Sequence, residues 1–181
     1  MVKDMTETNL RSSYAGESQA HMRYLIYSER AEKKGFPNVA RLFQATSFAE
    51  KVHATNHYRI IKSKGDAVTV SDAIFGTTNT SEDLQAGIDG ETFEINEMYP
   101  TYITVANFQG EKAAANSFNW AMEAEKTHLG LYEKAKKAVD QGKDADFGPI
   151  NVCSVCGYTL EGEPPDKCPV CNSPKDKFKA F

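Results

Sequence analysis

The sequence predicts an all-α protein, a bundle of four long helices, followed by a small tail that folds around a metal. Three observations carry this. Apolar residues recur at helical spacing through four long stretches. A pentapeptide, Ala49-Glu50-Lys51-Val52-His53, returns 75 positions later as Ala124-Glu125-Lys126-Thr127-His128. All four cysteines crowd into the tail as Cys153, Cys156, Cys168 and Cys171, with none before them.

The first helix is expected to start near Thr6-Glu7, where a hydroxyl can cap and an acidic side chain meets the positive helix end. Leu10, Tyr14, Glu17, His21, Tyr24 and Ser28 follow helical spacing as its inward stripe, and Gly35 ends it. Pro37 suits the first turn of a second helix, which should run to about Lys64-Gly65. Its inward face reads Val39, Leu42, Phe43, Thr46, Glu50, His53, His57 and Ile60. Residues 65–80 form a connector long enough to cross a bundle. A third helix begins at Ser81-Glu82-Asp83, with Leu84, Ile88, Glu91, Ile95, Met98 and Tyr102 inward. Pro100 removes the N–H that would bond the Asn96 carbonyl, so a kink is expected there. Gly110 separates helix three from helix four. The fourth turns Phe118, Met122, Glu125, His128, Tyr132, Ala135 and Val139 inward and finishes near Gln141-Gly142.

The doubled pentapeptide belongs to a larger repeat. Gly16-Glu17 matches Gly90-Glu91, Gly35 matches Gly110, and Phe43 matches Phe118. Two αα units with short internal turns and one long crossover describe a ferritin-like four-helix bundle. From about Gly148 the chain changes character: prolines at 149, 164, 165, 169 and 174, four cysteines, and no helical period. We therefore expect a bundle over residues 1–147 and a separate small unit over 148–181, too short to bury a core without a staple.

The 181 residues are 40% hydrophobic and 25% charged, with 21 basic against 25 acidic side chains. A pI near 5.6 offers no electrostatic footprint for nucleic acid or anionic lipid. No apolar run has the length of a membrane span, and the N-terminus does not read as a secretion signal, so the expected location is the cytoplasm.

Burying several carboxylates without partners costs several kcal/mol each or leaves them protonated. Yet Glu17, Glu50, Glu91 and Glu125 come from four different helices and all face inward, joined by His53 and His128. A single Glu-x-x-His on an apolar stripe is most simply a buried ion pair. Two, in register within a duplicated unit and each with a partner Glu, point to a metal pair. Oxygen-rich, imidazole-capped sites suit iron or manganese rather than zinc or calcium. Glu94, one turn beyond Glu91, breaks the symmetry, because Ala20 stands at the matching place in the first half. Five carboxylates outweigh the charge of two ferrous ions but not that of two ferric ions. One iron is thus expected to take Glu94 when ferric and His53 when ferrous. Tyr24 and Tyr99 lie within reach of the cluster, as core aromatics or as donors to its carboxylates. His21 and His57 lack counterparts in the other half and read as core or rim histidines. Glu97 points away from the Glu91/Glu94 face, and Lys51 and Lys126 fall outside.

Cys153-Ser-Val-Cys156-Gly-Tyr and Cys168-Pro-Val-Cys171 form two knuckles that place four thiolates around one ion, zinc or a single iron. A disulfide framework would spread its cysteines to close loops instead.

At this point the residues resemble rubrerythrins, which join a ferritin-like di-iron bundle to a rubredoxin-like Fe(S-Cys)4 domain. The matching stretches are Ala15-Gly-Glu-Ser-Gln-Ala20, Ala49-Glu-Lys-Val-His53, Gly90-Glu-Thr-Phe-Glu94 with Glu97-Met-Tyr-Pro100, Ala124-Glu-Lys-Thr-His128 and the two cysteine knuckles. The resemblance implies that Glu50 and Glu125 bridge two irons. Glu17 then binds the first, with Glu94 when oxidised and His53 when reduced, while Glu91 and His128 bind the second. It also implies that Tyr24 and Tyr99 hydrogen-bond ligand carboxylates, and that iron occupies the Cys153, Cys156, Cys168, Cys171 site.

The function implied is reduction of hydrogen peroxide to water in oxidative-stress protection. Two electrons are needed, the number a ferrous pair holds, and a one-electron Fe(S-Cys)4 centre would restore them in two steps. Electrons would come from rubredoxin or an NAD(P)H-dependent rubredoxin reductase. The resemblance implies a homodimer or higher homo-oligomer in which one subunit's rubredoxin-like centre serves its neighbour; the sequence itself supports only that a tail on a Gly/Pro linker could reach one. Two rival readings are a ferroxidase or iron-handling protein on the same bundle and a zinc-ribbon interaction module. An attached one-electron carrier argues against the first, and colour with bound iron would exclude the second.

Overall fold

The computed structural model describes residues 2–61 and 74–181. Helix α1 (Asp4–Lys33) starts two residues before the expected hydroxyl cap, with Asp4 and Glu7 both in its first turn. α2 (Pro37–Ile60) opens on Pro37, whose missing N–H is an orphan at this position anyway. α2 ends at Ile60, short of the expected Lys64-Gly65, because the backbone turns extended at Ile61; most of the 65–80 connector lies outside the described residues. α3 (Thr80–Phe93) is capped by the Asn79 side chain, which accepts from the Glu82 N–H at 3.0 Å. α5 (Lys112–Val139) completes the bundle.

Between α3 and α5 the chain differs from a simple kinked helix. A π turn (Glu94–Met98) follows α3 directly, and α4 (Tyr99–Gln109) continues from it with Pro100 in its first turn. The Tyr99 N–H bonds the Glu94 carbonyl, an i→i+5 link that admits one extra residue. Pro100 therefore begins a new helical segment rather than bending an old one. At the repeat-related positions Gly35 (φ +83°) and Gly110 (φ +77°), the left-handed conformation turns each helix into the next.

α1 packs along α2, and α3 with α4 packs along α5; α2 against α5 joins the two hairpins. Two aromatic clusters fill the interior. Tyr24, Tyr27, Phe43 and Tyr132 meet at centroid distances of 5.5–6.2 Å, with Leu42 and Leu84 behind them. Tyr99 and Phe118 form the other with Leu10 and Ala106. The inward carboxylates lie between these clusters, since Glu50 and His53 sit on α2 between Phe43 and Ile60. Tyr14, expected inward, is instead exposed and leans on Tyr58 across an outer groove between α1 and α2.

The tail forms a small antiparallel sheet in the order β2-β1-β3, from β1 (Ile150–Cys153), β2 (Thr159–Glu161) and β3 (Phe178–Ala180). Val152 pairs with Thr159, and Cys153 with Phe178. Ile150 and Val152 are fully buried in the same cluster as Phe43 and Tyr132. The sheet thus lies on its own chain's bundle, and Phe181 rests on Phe48 at 5.6 Å. Among the described residues no helix is long and apolar enough to cross a membrane.

Candidate metal centre

The six side chains singled out by the repeat converge. Glu17 from α1, Glu50 and His53 from α2, Glu91 from α3, and Glu125 and His128 from α5 are each no more than 2% exposed. Their donor atoms fall into two overlapping groups, each within 4.8 Å: Glu17, Glu50, His53 and Glu125, and Glu50, Glu91, Glu125 and His128. Glu50 and Glu125 belong to both. In each Glu-x-x-His the spacing of three puts carboxylate and imidazole on one helix face. His53 Nδ1 lies 2.9 Å from both Glu50 and Glu125.

Two features show that this cluster suits cations rather than a closed set of hydrogen bonds. His128 Nδ1 stands 2.6 Å from Glu125 Oε2, yet both atoms lack a hydrogen-bond partner, as do Glu125 Oε1 and Glu17 Oε2. Carboxylate oxygens and an imidazole nitrogen gathered at such distances with no hydrogen bond to settle them are what a metal ion resolves. The second is electrostatic. Burial, then the charge of Glu94, raises the Glu17 carboxyl well above the usual carboxylate range, and burial with Glu125 does the same to Glu91. Burial opposes ionisation of Glu50 too, but the facing His128, with His53 hydrogen-bonded to it, holds it low. Both imidazoles keep their protons against the pull of burial because Glu125 faces them, His128 to about 9.

Glu94 stands in the first position of the π turn, half-buried, and belongs to neither group. Burial, with Glu125 and Glu50 nearby, raises its carboxyl strongly, so it lies at the wall of the cluster with His53 in the convergent position. Glu97, Lys51 and Lys126 are exposed. His21 lies apart, 2.8 Å from the Ser47 carbonyl.

Both tyrosines touch the cluster, and they cross between the halves of the repeat. Tyr24 from α1 donates to Glu91 on α3 at 2.9 Å, while Tyr99 from α4 donates to Glu17 on α1. His57 had only its inward position to mark it. It is fully buried, bonds Ser117 Oγ at 2.9 Å and stands 3.3 Å from the Tyr99 hydroxyl, extending the line that ends on Glu17. Burial, then the charge of His53, pushes its pKa down to about 3, so it is neutral near pH 7. Its place one turn beyond His53 was the signal available in the sequence.

The four cysteines are free of disulfides and face one point: Sγ atoms of Cys153 and Cys171 are 3.7 Å apart, those of Cys156 and Cys168 3.6 Å. Tetrahedral thiolates on one ion at about 2.3 Å would stand about 3.8 Å apart, so the site fits a metal with little movement. A hydrogen bond from Cys156 and backbone N–H groups of the first knuckle draw the Cys153 thiol down to about 5. Trp120 of α5, with Val155, Tyr158 and Val170, packs around the sulfurs.

Helical bundle, buried carboxylate–imidazole cluster and paired cysteine knuckles together define a non-haem di-iron protein with an attached one-iron centre. Sequence comparison agrees. The family model described as Rubrerythrin matches residues 8–136, and that described as Rubrerythrin, rubredoxin-like domain matches 152–179. Rubrerythrin-2 of Clostridium acetobutylicum is 46% identical over 98% of this chain and 97% of its own length. Nigerythrin of Nitratidesulfovibrio vulgaris is 33% identical over 97% of this chain and 86% of its own. A solved structure of nigerythrin in a mixed-valence state superposes with a TM-score of 0.84 at 34% identity, covering 97% of this chain and 86% of that one. The chain belongs to the rubrerythrin family, di-iron proteins of oxidative-stress defence, and carries the family's di-iron site and its four-cysteine iron site.

Proposed function

We propose that the protein is a peroxidase that reduces hydrogen peroxide to two waters and is re-reduced by its own four-cysteine centre. The observation that carries this is adjacency: the four-cysteine module abuts both imidazoles of the carboxylate cluster, at Gly157 of the first knuckle and Thr159 of β2. A one-electron carrier set against a two-electron site serves repeated turnover, which iron storage does not need.

In the ligand set we propose, Glu50 and Glu125, common to both groups, would be shared by the two ions. Glu17 and His53 would hold the first ion when reduced, with Glu94 available to it in place of His53 when oxidised. Glu91 and His128 hold the second, and Cys153, Cys156, Cys168 and Cys171 hold the third. Residues 1–147 and 148–181 are the corresponding units. When bound, the iron pair supplies two electrons to the O–O bond and the thiolate-bound iron returns them singly.

The protein's own groups manage geometry and protons. Reduction consumes two protons with the two electrons, so the site needs a group that can bring protons in from solvent. Glu94, half-buried at the first position of the π turn, is the carboxylate placed between the cluster and solvent for that relay. Tyr24 and Tyr99 orient Glu91 and Glu17 by hydrogen bonds, and the two aromatic clusters exclude water from either side. The electron donor is rubredoxin or an NAD(P)H-dependent rubredoxin reductase, in a cytoplasmic homo-oligomer.

Anaerobic metal analysis followed by optical titration tests this reading. We expect two irons in the bundle and one at the cysteines, bleaching by dithionite, and rapid return of colour with one peroxide consumed for every two ferrous ions reoxidised. Reoxidation by peroxide slower than by dioxygen would favour the ferroxidase reading instead.

A further inference from the structure

Both imidazoles of the cluster turn Nδ1 to the carboxylates and Nε2 outward, and what each Nε2 meets is the four-cysteine module. His53 Nε2 lies so close to Gly157 that a Cβ there would overlap it. His128 Nε2 lies 2.9 Å from Thr159 Oγ1, with both residues fully buried. Thr159 is the first residue of β2, paired with Val152, so the sheet of the four-cysteine module fixes where its hydroxyl stands.

The hydroxyl has one proton, and that proton is already committed: Thr159 Oγ1 donates to the Gly157 carbonyl at 3.0 Å. Towards His128 the same oxygen can therefore only accept, which requires hydrogen on Nε2. Nδ1 is then the nitrogen left to face Glu125 at 2.6 Å, Glu50 at 3.5 Å and Glu91 at 3.9 Å. His53 has no such partner, because its Nε2 makes no hydrogen bond. The asymmetry suits an imidazole that stays with its metal at one end and one free to move at the other.

We propose that Thr159 is a positioning residue for the di-iron site: its hydroxyl, delivered by the four-cysteine module, fixes His128 with Nδ1 to the metal and so strengthens binding of the second ion. This rests on His128 being a ligand, as proposed above. It makes the module part of the wall of the site as well as its electron source.

The full-length chain, T159V and T159S are titrated anaerobically with cobalt(II), whose sulfur charge-transfer bands report the cysteine site and whose weaker d–d bands report the bundle. Valine keeps the shape of threonine and loses the hydroxyl; serine keeps the hydroxyl. Losing a partner of a ligating histidine costs about 10–100-fold in metal affinity. T159V should show that loss for one bundle ion only, with the charge-transfer bands unchanged, and T159S should recover most of it. Parent-like bundle affinity in T159V overturns the proposal, and so does T159S binding as weakly as T159V, which would mark a packing effect. Should T159V not fold, nitrogen NMR of the zinc-loaded parent decides: a metal-shifted Nδ1 with a protonated Nε2 on His128 supports the proposal, and Nε2 ligation overturns it. A parent chain taking up cobalt only at the cysteines would instead remove the ligand assignment itself.

Discussion

Tyr24 and Tyr99 show how single hydroxyls divide the site. Each donates to a carboxylate of the opposite half of the repeat, so each bears on one end of the cluster. In the proposed ligand set, Tyr24→Phe should weaken the ion at Glu91, and Tyr99→Phe the ion at Glu17, by about tenfold or more each. Ferrous titration of the two variants checks this: the weakened ion should differ between them, and loss of both ions in either would refute separate roles. His57, behind Tyr99, makes a different prediction. Burial first, and the positive charge of His53 second, hold its pKa near 3, against an ordinary value of 6.5. Between those values the unfolded chain binds more protons than the folded one, so this residue makes stability rise with pH and fall as pH drops from 6.5 towards 3. The urea midpoint of the parent should therefore fall more steeply from about pH 6.5 to about pH 4 than that of His57→Gln. Equal slopes would mean that His57 is protonated in the folded protein.

At the scale of helices, the two hairpins are held in register by close contacts that the repeat does not display. Gly87 of α3 is buried against the ring of Tyr132, where a Cβ would stand 2.9 Å from two ring carbons. That ring cannot retreat, because its hydroxyl bonds Thr46 at 2.7 Å and Tyr24 and Phe43 pack against it. Helix propensity alone favours alanine over glycine by about 1 kcal/mol, whereas overpacking costs about 1–3 kcal/mol. Gly87→Ala should therefore destabilise, with a lower denaturant midpoint and an unchanged slope. A raised midpoint would mean α3 can shift away from α5. The helices, their order and the six converging ligand candidates were legible because the repeat prints an inward Glu and a Glu-x-x-His in each half. Three features were not. The π turn depends on how Glu94–Met98 sits over α5, and Pro100 announces only that a helix begins or bends. The crossing of Tyr24 and Tyr99 is a fact of hairpin packing, with no periodicity of its own. Tyr14 keeps helical register with Leu10 and Glu17 yet falls at the edge of the stripe, over the outer groove.

At the scale of the whole molecule, the four-cysteine module and the bundle stabilise one another. Three strands of three or four residues do not hold a sheet together in water, so the tail depends on its metal and on the surface beneath it. That surface is specific: Asn56 donates to the Val155 carbonyl at 2.8 Å, Arg41 to the Phe147 carbonyl at 2.9 Å, and Lys134 pairs with Glu161 at 2.8 Å. In return Ile150 and Val152 fill the end of the bundle core, each burial contributing about 1.5–3 kcal/mol. Stripping metal from the cysteines should thus unfold the tail and loosen the bundle beneath it without dissolving the helices. Chelation, or Cys153→Ser with Cys156→Ser, should open the chain to protease from about residue 140 onward while leaving α1–α5 largely resistant and helical by circular dichroism. The bundle left behind should melt at a lower temperature than the intact chain, because it has lost two buried side chains and the partner of His128. Protection of the tail without its metal, or an unchanged melting temperature of the bundle after its release, would show that the two parts merely touch.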